Sequence, residues 1–111
     1  MHTSSELFFD LSPCGQLILE TNGRIKAVNA TFCNLAGYSK SDLVGEQNFY
    51  DLVLKPVRIY LETQIFPLLL IQGSVDAVAL DIQKSGDGAI PALINFSLEH
   101  DVEESESLIL V

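Results

Sequence analysis

The chain has 111 residues, 48% of them hydrophobic, and carries a formal net charge of −9 from 15 acidic and six basic side chains. That length holds one core and not two, and an apolar fraction this high argues against a disordered polymer. The acidity repels phosphate backbones and anionic lipid heads, which argues against nucleic acid and membrane surfaces as partners.

In chain order, residues 4–11 form a Ser-capped apolar segment that stops before Pro13, which predicts a short helix. Residues 16–20 and 24–28 are two β-rich runs joined by Thr21-Asn22-Gly23, and Asn-Gly is a strong hairpin signal. Asn29 stands where the pattern turns helical, as the N-cap of a helix over 30–36 that Gly37 stops. Residues 39–45 read as a brief Ser-capped turn, and 49–54 as another helical piece ended by Pro56. The longest helix is predicted over 57–71, with Pro67 kinking or splitting it and Gly73 ending it. Residues 75–84 and 89–100 are long strands around the turn Ser85-Gly86-Asp87-Gly88. A solvated acidic loop (Glu99, Asp101, Glu103, Glu104, Glu106) then leads to a last strand over 107–111.

A hairpin and a three-strand meander joined by a helical excursion predict an α+β fold. The expectation is one five-stranded antiparallel sheet with helices on one face. In residues 75–82 both alternating sets are apolar, Val75, Ala77 and Ala79 against Val78, Leu80 and Ile82, which predicts a sheet covered on both faces. The N-terminal helix or a second subunit would cover the outer one.

The longest apolar neighbourhood, residues 65–71, contains Pro67 and falls far short of the roughly 20 residues a membrane helix needs. The first residues lack the basic start and apolar run of a signal peptide. Cys14 and Cys33 have no CxxC companion, and their apolar neighbours suggest two buried free thiols in a reducing cytoplasm.

The run Gly23-Arg24-Ile25-x-Ala27-Val28-Asn29-x2-Phe32-x2-Leu35-x-Gly37-Tyr38-Ser39-x2-Asp42-Leu43-x-Gly45 resembles the core signature of PAS domains, of the bacterial sensory-box type. The Gly86-Asp87-Gly88 turn between two late strands is similar to the Gly-rich turn of that family, and the resemblance covers residues 7–111. The segment from Arg58 to Gly73 also resembles the long helix of some bacterial PAS modules. There a histidine often follows the threonine, and here the position is Gln64. The resemblance implies a PAS fold with helices on one face, an N-terminal helical cap outside (residues 1–12) and a PAS core (13–111). It implies a cytoplasmic sensory module that biases an output domain, such as a histidine kinase, a diguanylate cyclase, a serine phosphatase or a transcription regulator. Because the sequence stops at Val111 without one, it reads as a module excised from a longer protein, or as one acting through a partner.

The resemblance places a small cavity between sheet and helices. Candidate lining residues are Phe32, Leu35, Phe49, Leu52, Ile59 and Thr63, with Phe66, Leu69, Leu80, Ile94 and Phe96. Tyr60, Gln64 and Asn95 are further polar candidates for orienting a ligand, or else face solvent. Leu7, Phe8, Phe9 and Leu11 are the candidate dimer contact. The cofactor is unknown. Haem is disfavoured because neither His2 nor His100 lies on the long helix, and covalent flavin because residues 45–50 contain no cysteine. There is no Ser/His/Asp set, Walker loop, HExxH motif or metal cluster, so no enzyme is expected. Two readings remain: a sensor of a small, mostly apolar ligand, and a ligand-free scaffold that homodimerises or binds a partner protein.

Overall fold

The computed structural model describes residues 9–101 and 106–110. Strands β1 (Leu17–Glu20) and β2 (Ile25–Val28) are followed by helices α1 (Ala30–Ala36) and α2 (Lys40–Leu43) and a 3-10 turn, Phe49–Leu52. Helix α3 (Lys55–Tyr60), a π-helical turn (Leu61–Ile65) and helix α4 (Phe66–Gln72) run on from one another. Strands β3 (Ser74–Gln83), β4 (Ala89–Asp101) and β5 (Glu106–Leu110) complete one sheet of order β2-β1-β5-β4-β3. Every neighbouring pair is antiparallel. Among the described residues no helix is long and apolar enough to cross a membrane.

The first hairpin closes on three residues. The Gly23 N–H donates to the Glu20 carbonyl at 2.8 Å and the Glu20 N–H donates to Arg24 at 2.9 Å, with Gly23 at φ 91°. This is a turn finished by a left-handed residue. A Cβ on Gly23 would lie 2.6 Å from the Asn48 Oδ1, so conformation and space both require glycine.

Asn29 caps α1 as its sequence position suggests, and does more. Its Oδ1 accepts from the Phe32 N–H at 3.0 Å and from the Gln16 N–H at 2.8 Å. Its Nδ2 donates to the carbonyls of Phe9 and Cys14, both at 2.9 Å. The side chain is fully buried and all four hydrogen-bonding positions of the amide are used. The expected helical segment before Pro13 is thus tied to the core, its described residues 9–11 being helical; residues 4–8 lie outside the described part.

Two prolines act differently from their sequence reading. Pro56 does not end the preceding turn but sits in the first turn of α3, where its missing N–H costs nothing. Pro67 does not break the long helix. Tyr60, Leu61, Ile65 and Phe66 all keep right-handed helical angles, and the Phe66 N–H donates five residues back to Leu61. The wider π turn absorbs the hydrogen bond that proline cannot make.

The outer face of β3 is not covered in the way its composition suggests. The register passes from Val75↔Phe96 to Val78↔Ile94, so Asp76 and Ala77 together oppose one residue, Asn95. Ala77 takes φ 59°, and its N–H donates to the Asn95 Oδ1 at 2.8 Å. This bulge shifts the alternation by one residue. Val75 then shares the inner face with Val78, Leu80 and Ile82, while Ala77 and Ala79 are exposed. Leu17, Leu19, Ile25 and Val28 line the same inner face on the other side of the sheet.

Asn29→Ala removes the helix cap and strands the Gln16 N–H and two carbonyls. We expect an unfolding free energy lower by about 2–4 kcal/mol, read as a lower urea midpoint at unchanged slope.

Candidate functional site

The inner face of the sheet and the helices enclose two regions of different texture. Under the long helix the packing is dense. Phe96 meets Phe66 with ring centroids 5.6 Å apart and Phe49 at 6.2 Å, both edge to face. Tyr50 lies 5.7 Å from Phe66, and the Arg58 guanidinium stands 4.9 Å over the Tyr50 ring. Toward α1 the packing opens into a cavity of about 250 Å3.

Residues from five segments form the cavity wall. Cys14, Gly15 and Leu17 come from the approach to β1 and its start, and Phe32, Leu35 and Ala36 from α1. Phe49 closes one side, and Ile82 with residues 90–94 of β3 and β4 forms the other. Gly15 is there because α1 passes so close: a Cβ would meet the Phe32 Cα, Cβ and ring at 3.3 Å. Asn29 sets this distance, since its amide holds both the Cys14 carbonyl and the Gln16 N–H against the first turn of α1.

The side chains of the lining are apolar except for the Cys14 thiol, with backbone polar groups exposed among them. Such a wall can desolvate a small apolar molecule, but it offers no acid, base or charged group for proton transfer. Among the described residues no group of three His, Cys, Asp or Glu side chains is placed to hold a metal. The polar groups nearby serve the frame. The Tyr38 hydroxyl donates to the Gln83 carbonyl at 2.9 Å, and burial raises its pKa. Burial also raises that of Tyr50, helped by Glu62 and opposed by Arg58.

The residues singled out from the sequence separate into three groups. Phe32, Phe49 and Ile94 line the cavity, with Leu35 at its rim, 56% exposed. Leu52, Leu69, Leu80 and Phe96 are buried, and Phe66 half-buried, in the core outside the cavity lining. Ile59 and Thr63 are on the solvent side of the long helix and line nothing inside; the Thr63 hydroxyl donates to the Ile59 carbonyl at 2.7 Å. The π turn is the reason. In a plain α-helix positions four apart drift around the axis, and the wider turn cancels that drift. Leu61, Ile65 and Leu69 therefore all point inward, and Ile59 and Thr63 outward. Tyr60, Gln64 and Asn95 are exposed too, so none of the polar candidates reaches the cavity. Of the proposed dimer contact, Phe9 is half-buried and Leu11 is 77% exposed, while Leu7 and Phe8 lie outside the described residues.

Reasoning from sequence missed Cys14, Gly15, Leu17, Ala36, Ile82 and most of 90–94. The usable signal was the small residues, Gly15, Ala36 and Ala92, which leave room where larger neighbours would close it. The thiols also differ from expectation. Both are free, but Cys14 is exposed and only Cys33 is partly buried.

Comparison with known proteins agrees with this architecture. A family model described as a PAS domain matches residues 5–66, more than half of the chain. The chain belongs to the PAS domain family. PAS domains are typical of sensory signal transduction and are generally not enzymes. The chain is similar to the phosphoserine phosphatase RsbP of Bacillus subtilis, 28% identical over 90 residues. That match covers 81% of this chain and 22% of the relative, so the chain spans about a fifth of that protein's length. Among solved structures, a PAS domain from Colwellia psychrerythraea superposes with TM-score 0.82 at 15% identity, over 96% of this chain and 90% of that one. The PAS domain of a LuxR-family transcriptional regulator from Burkholderia thailandensis, in complex with ethanol, gives TM-score 0.80 at 15% identity, over 97% and 94%. The shared PAS fold is what these two likenesses establish.

The two textures of the core make opposite demands on substitution. Phe96→Ala, which empties the aromatic cluster, is expected to cost about 3–5 kcal/mol, whereas Ile59→Ala stays within about 0.5 kcal/mol; thermal melts of the two separate them. The thiols give a second check. Burial raises the Cys33 pKa, with Lys40 opposing and Asp10 and Asp42 adding to the rise. Iodoacetamide at neutral pH should therefore label Cys14 first, read by peptide mass, and equal rates at both sites would contradict the described burial.

Proposed function

We propose that this PAS domain, with residues 13–111 as its core and 1–12 as a helical cap, is the sensor of a small, mostly apolar ligand. The ligand would sit in the cavity between α1 and β4 and pass its effect to an output domain or partner protein in the cytoplasm. The observation that supports this reading is the cavity itself, about 250 Å3 with an apolar wall. A cavity of about 150 Å3 holds benzene, so this one suits a compact molecule of that class or somewhat larger. The ethanol held by the Burkholderia PAS domain is a small molecule of comparable kind, bound by a protein that shares the fold. A ligand biases only states to which it binds unequally. Here the wall includes α1 and the approach to β1, which Asn29 joins to the N-terminal segment.

A second reading has its own observation. The outer face of the sheet carries Leu93, 71% exposed, beside the exposed Pro91, Ala77 and Ala79. This surface, and separately the N-terminal candidates Leu7, Phe8, Phe9 and Leu11, suit a ligand-free scaffold that homodimerises or binds a partner protein.

Mass spectra of the purified protein under native and denaturing conditions, with an absorption spectrum alongside, test both. The sensor reading expects an added mass that disappears on denaturation and is absent from Ala36→Leu, which fills the cavity. A bare dimer that Leu93→Arg converts to monomer supports the scaffold instead.

A further inference from the structure

The sheet ends on β3, whose far edge no other described strand covers. Backbone direction along that edge follows from the hairpin with β4. The Lys84 N–H donates to the Gly88 carbonyl across the hairpin, while the Gln83 carbonyl accepts from the Tyr38 hydroxyl on the opposite side. Antiparallel strands alternate the direction of their peptide groups residue by residue. Val78, Leu80 and Ile82 therefore bond to β4, and Ala79 and Asp81 turn both N–H and carbonyl outward. Pro91 fits this phase, since it stands opposite Asp81, where β4 owes β3 no N–H. Among the described residues nothing takes the outward groups of Ala79 and Asp81. The open stretch is bounded at both ends. At the bulge Ala77 turns its N–H back to Asn95, and beyond Gln83 the Ser85 N–H donates to the Ala36 carbonyl of α1 at 2.9 Å.

Beside this stretch lies a groove of about 510 Å3 between β3 and the start of α3. Ala79, Leu80 and Asp81 form one wall, and Leu54, Pro56, Val57 and Tyr60 the other. Leu54 and Tyr60 are both exposed, so the groove is apolar yet open to solvent. The outer face of β3 is acidic. Asp76 and Asp81 are exposed, and neither carboxylate has an ion pair or hydrogen bond among the described residues. No basic side chain lines the groove; Lys55 and Arg58 of α3 border a separate hollow together with Asp51 and Glu62.

We propose that this edge binds an extended segment of a partner protein, basic at alternate positions and apolar between them. Bonded to Ala79 and Asp81, the segment would join the sheet as an added strand, a general way for a peptide to use a free sheet edge. Residues directly opposite on neighbouring strands share a face. The residue opposite Leu80 therefore puts its side chain on the inner side, into the groove beside Leu54, Val57 and Tyr60. The residues opposite Ala79 and Asp81 fall on the outer face, where the unpaired Asp81 carboxylate favours a lysine or arginine. Charge decides between occupants. A second copy, itself of net charge −9, would bring its own Asp76 and Asp81 to the edge, whereas a basic segment is drawn there. Five residues span the window from Val78 to Ile82. The proposal goes beyond ligand sensing and does not depend on it, because the groups of the edge are present whatever the cavity holds.

Amide hydrogen exchange in protein free of added ligand tests this, with acetylated and amidated Val-Lys-Val-Lys-Val as the probe. Its palindromic pattern serves either strand direction. In the protein alone, Ala79 and Asp81 should exchange about tenfold faster than Leu80 and Ile82, or more. The peptide should slow Ala79 and Asp81 by a similar factor and leave Leu80 and Ile82 unchanged. Val-Glu-Val-Glu-Val should bind about tenfold more weakly, and Asp81→Lys should erase that preference. Ala79→Pro, which removes an outward donor and spares the bonds to β4, should abolish the slowing at Asp81. Equal protection of all four amides in the free protein would overturn the proposal. So would equal binding of the two peptides, or a slowing that Ala79→Pro leaves intact. Protection of Ala79 and Asp81 that grows with protein concentration alone would give the edge to a second copy, and would overturn it too.

Discussion

The fold rests on one buried amide. Asn29 spends its two acceptor and two donor positions on four backbone groups in three segments: Phe32 in α1, Gln16 and Cys14 in the approach to β1, and Phe9 in the N-terminal segment. Each of those groups would otherwise be a polar atom withdrawn from water without a partner, at about 1–3 kcal/mol apiece. The arrangement therefore joins all four or costs heavily. It also fixes a spacing: α1 lies so close to residues 14–16 that a Cβ at position 15 would meet Phe32 at 3.3 Å, a tight contact that glycine avoids. The cavity wall is a by-product of that spacing.

How far the sequence could be read follows from how local each feature is. The hairpin around Gly23, the cap at Asn29, the stop at Gly37 and the Ser39–Asp42 capping box involve residues a few positions apart, and the types present permit few alternatives. The five-stranded antiparallel sheet was also legible, since a hairpin and a meander separated by helices close in few ways. Two misreadings came from one-residue slips in period. The bulge at Asp76 and Ala77 moves Val75 to the inner face, and the π turn moves Ile59 and Thr63 to the outer one. Neither slip has a signature in hydrophobicity, because the displaced residues are of the same kind as those that replace them. The bulge is fixed by Asn95, 18 residues away, whose side chain takes the Ala77 N–H. The cavity was placed too near the long helix for a related reason. Large residues mark where a core is, and the space within it is left by small ones.

The division of the core into a dense and an open half has consequences for signalling. The aromatic cluster of Phe49, Phe66, Phe96 and Tyr50 clamps the long helix to β4, and Arg58 over Tyr50 extends the clamp to the surface. Interiors packed to this density deform little. A molecule entering the open half therefore meets one rigid wall and one that depends on Asn29. Any shift of α1 or of the approach to β1 would have to carry the Asn29 amide with it, and so the N-terminal segment that the same amide holds.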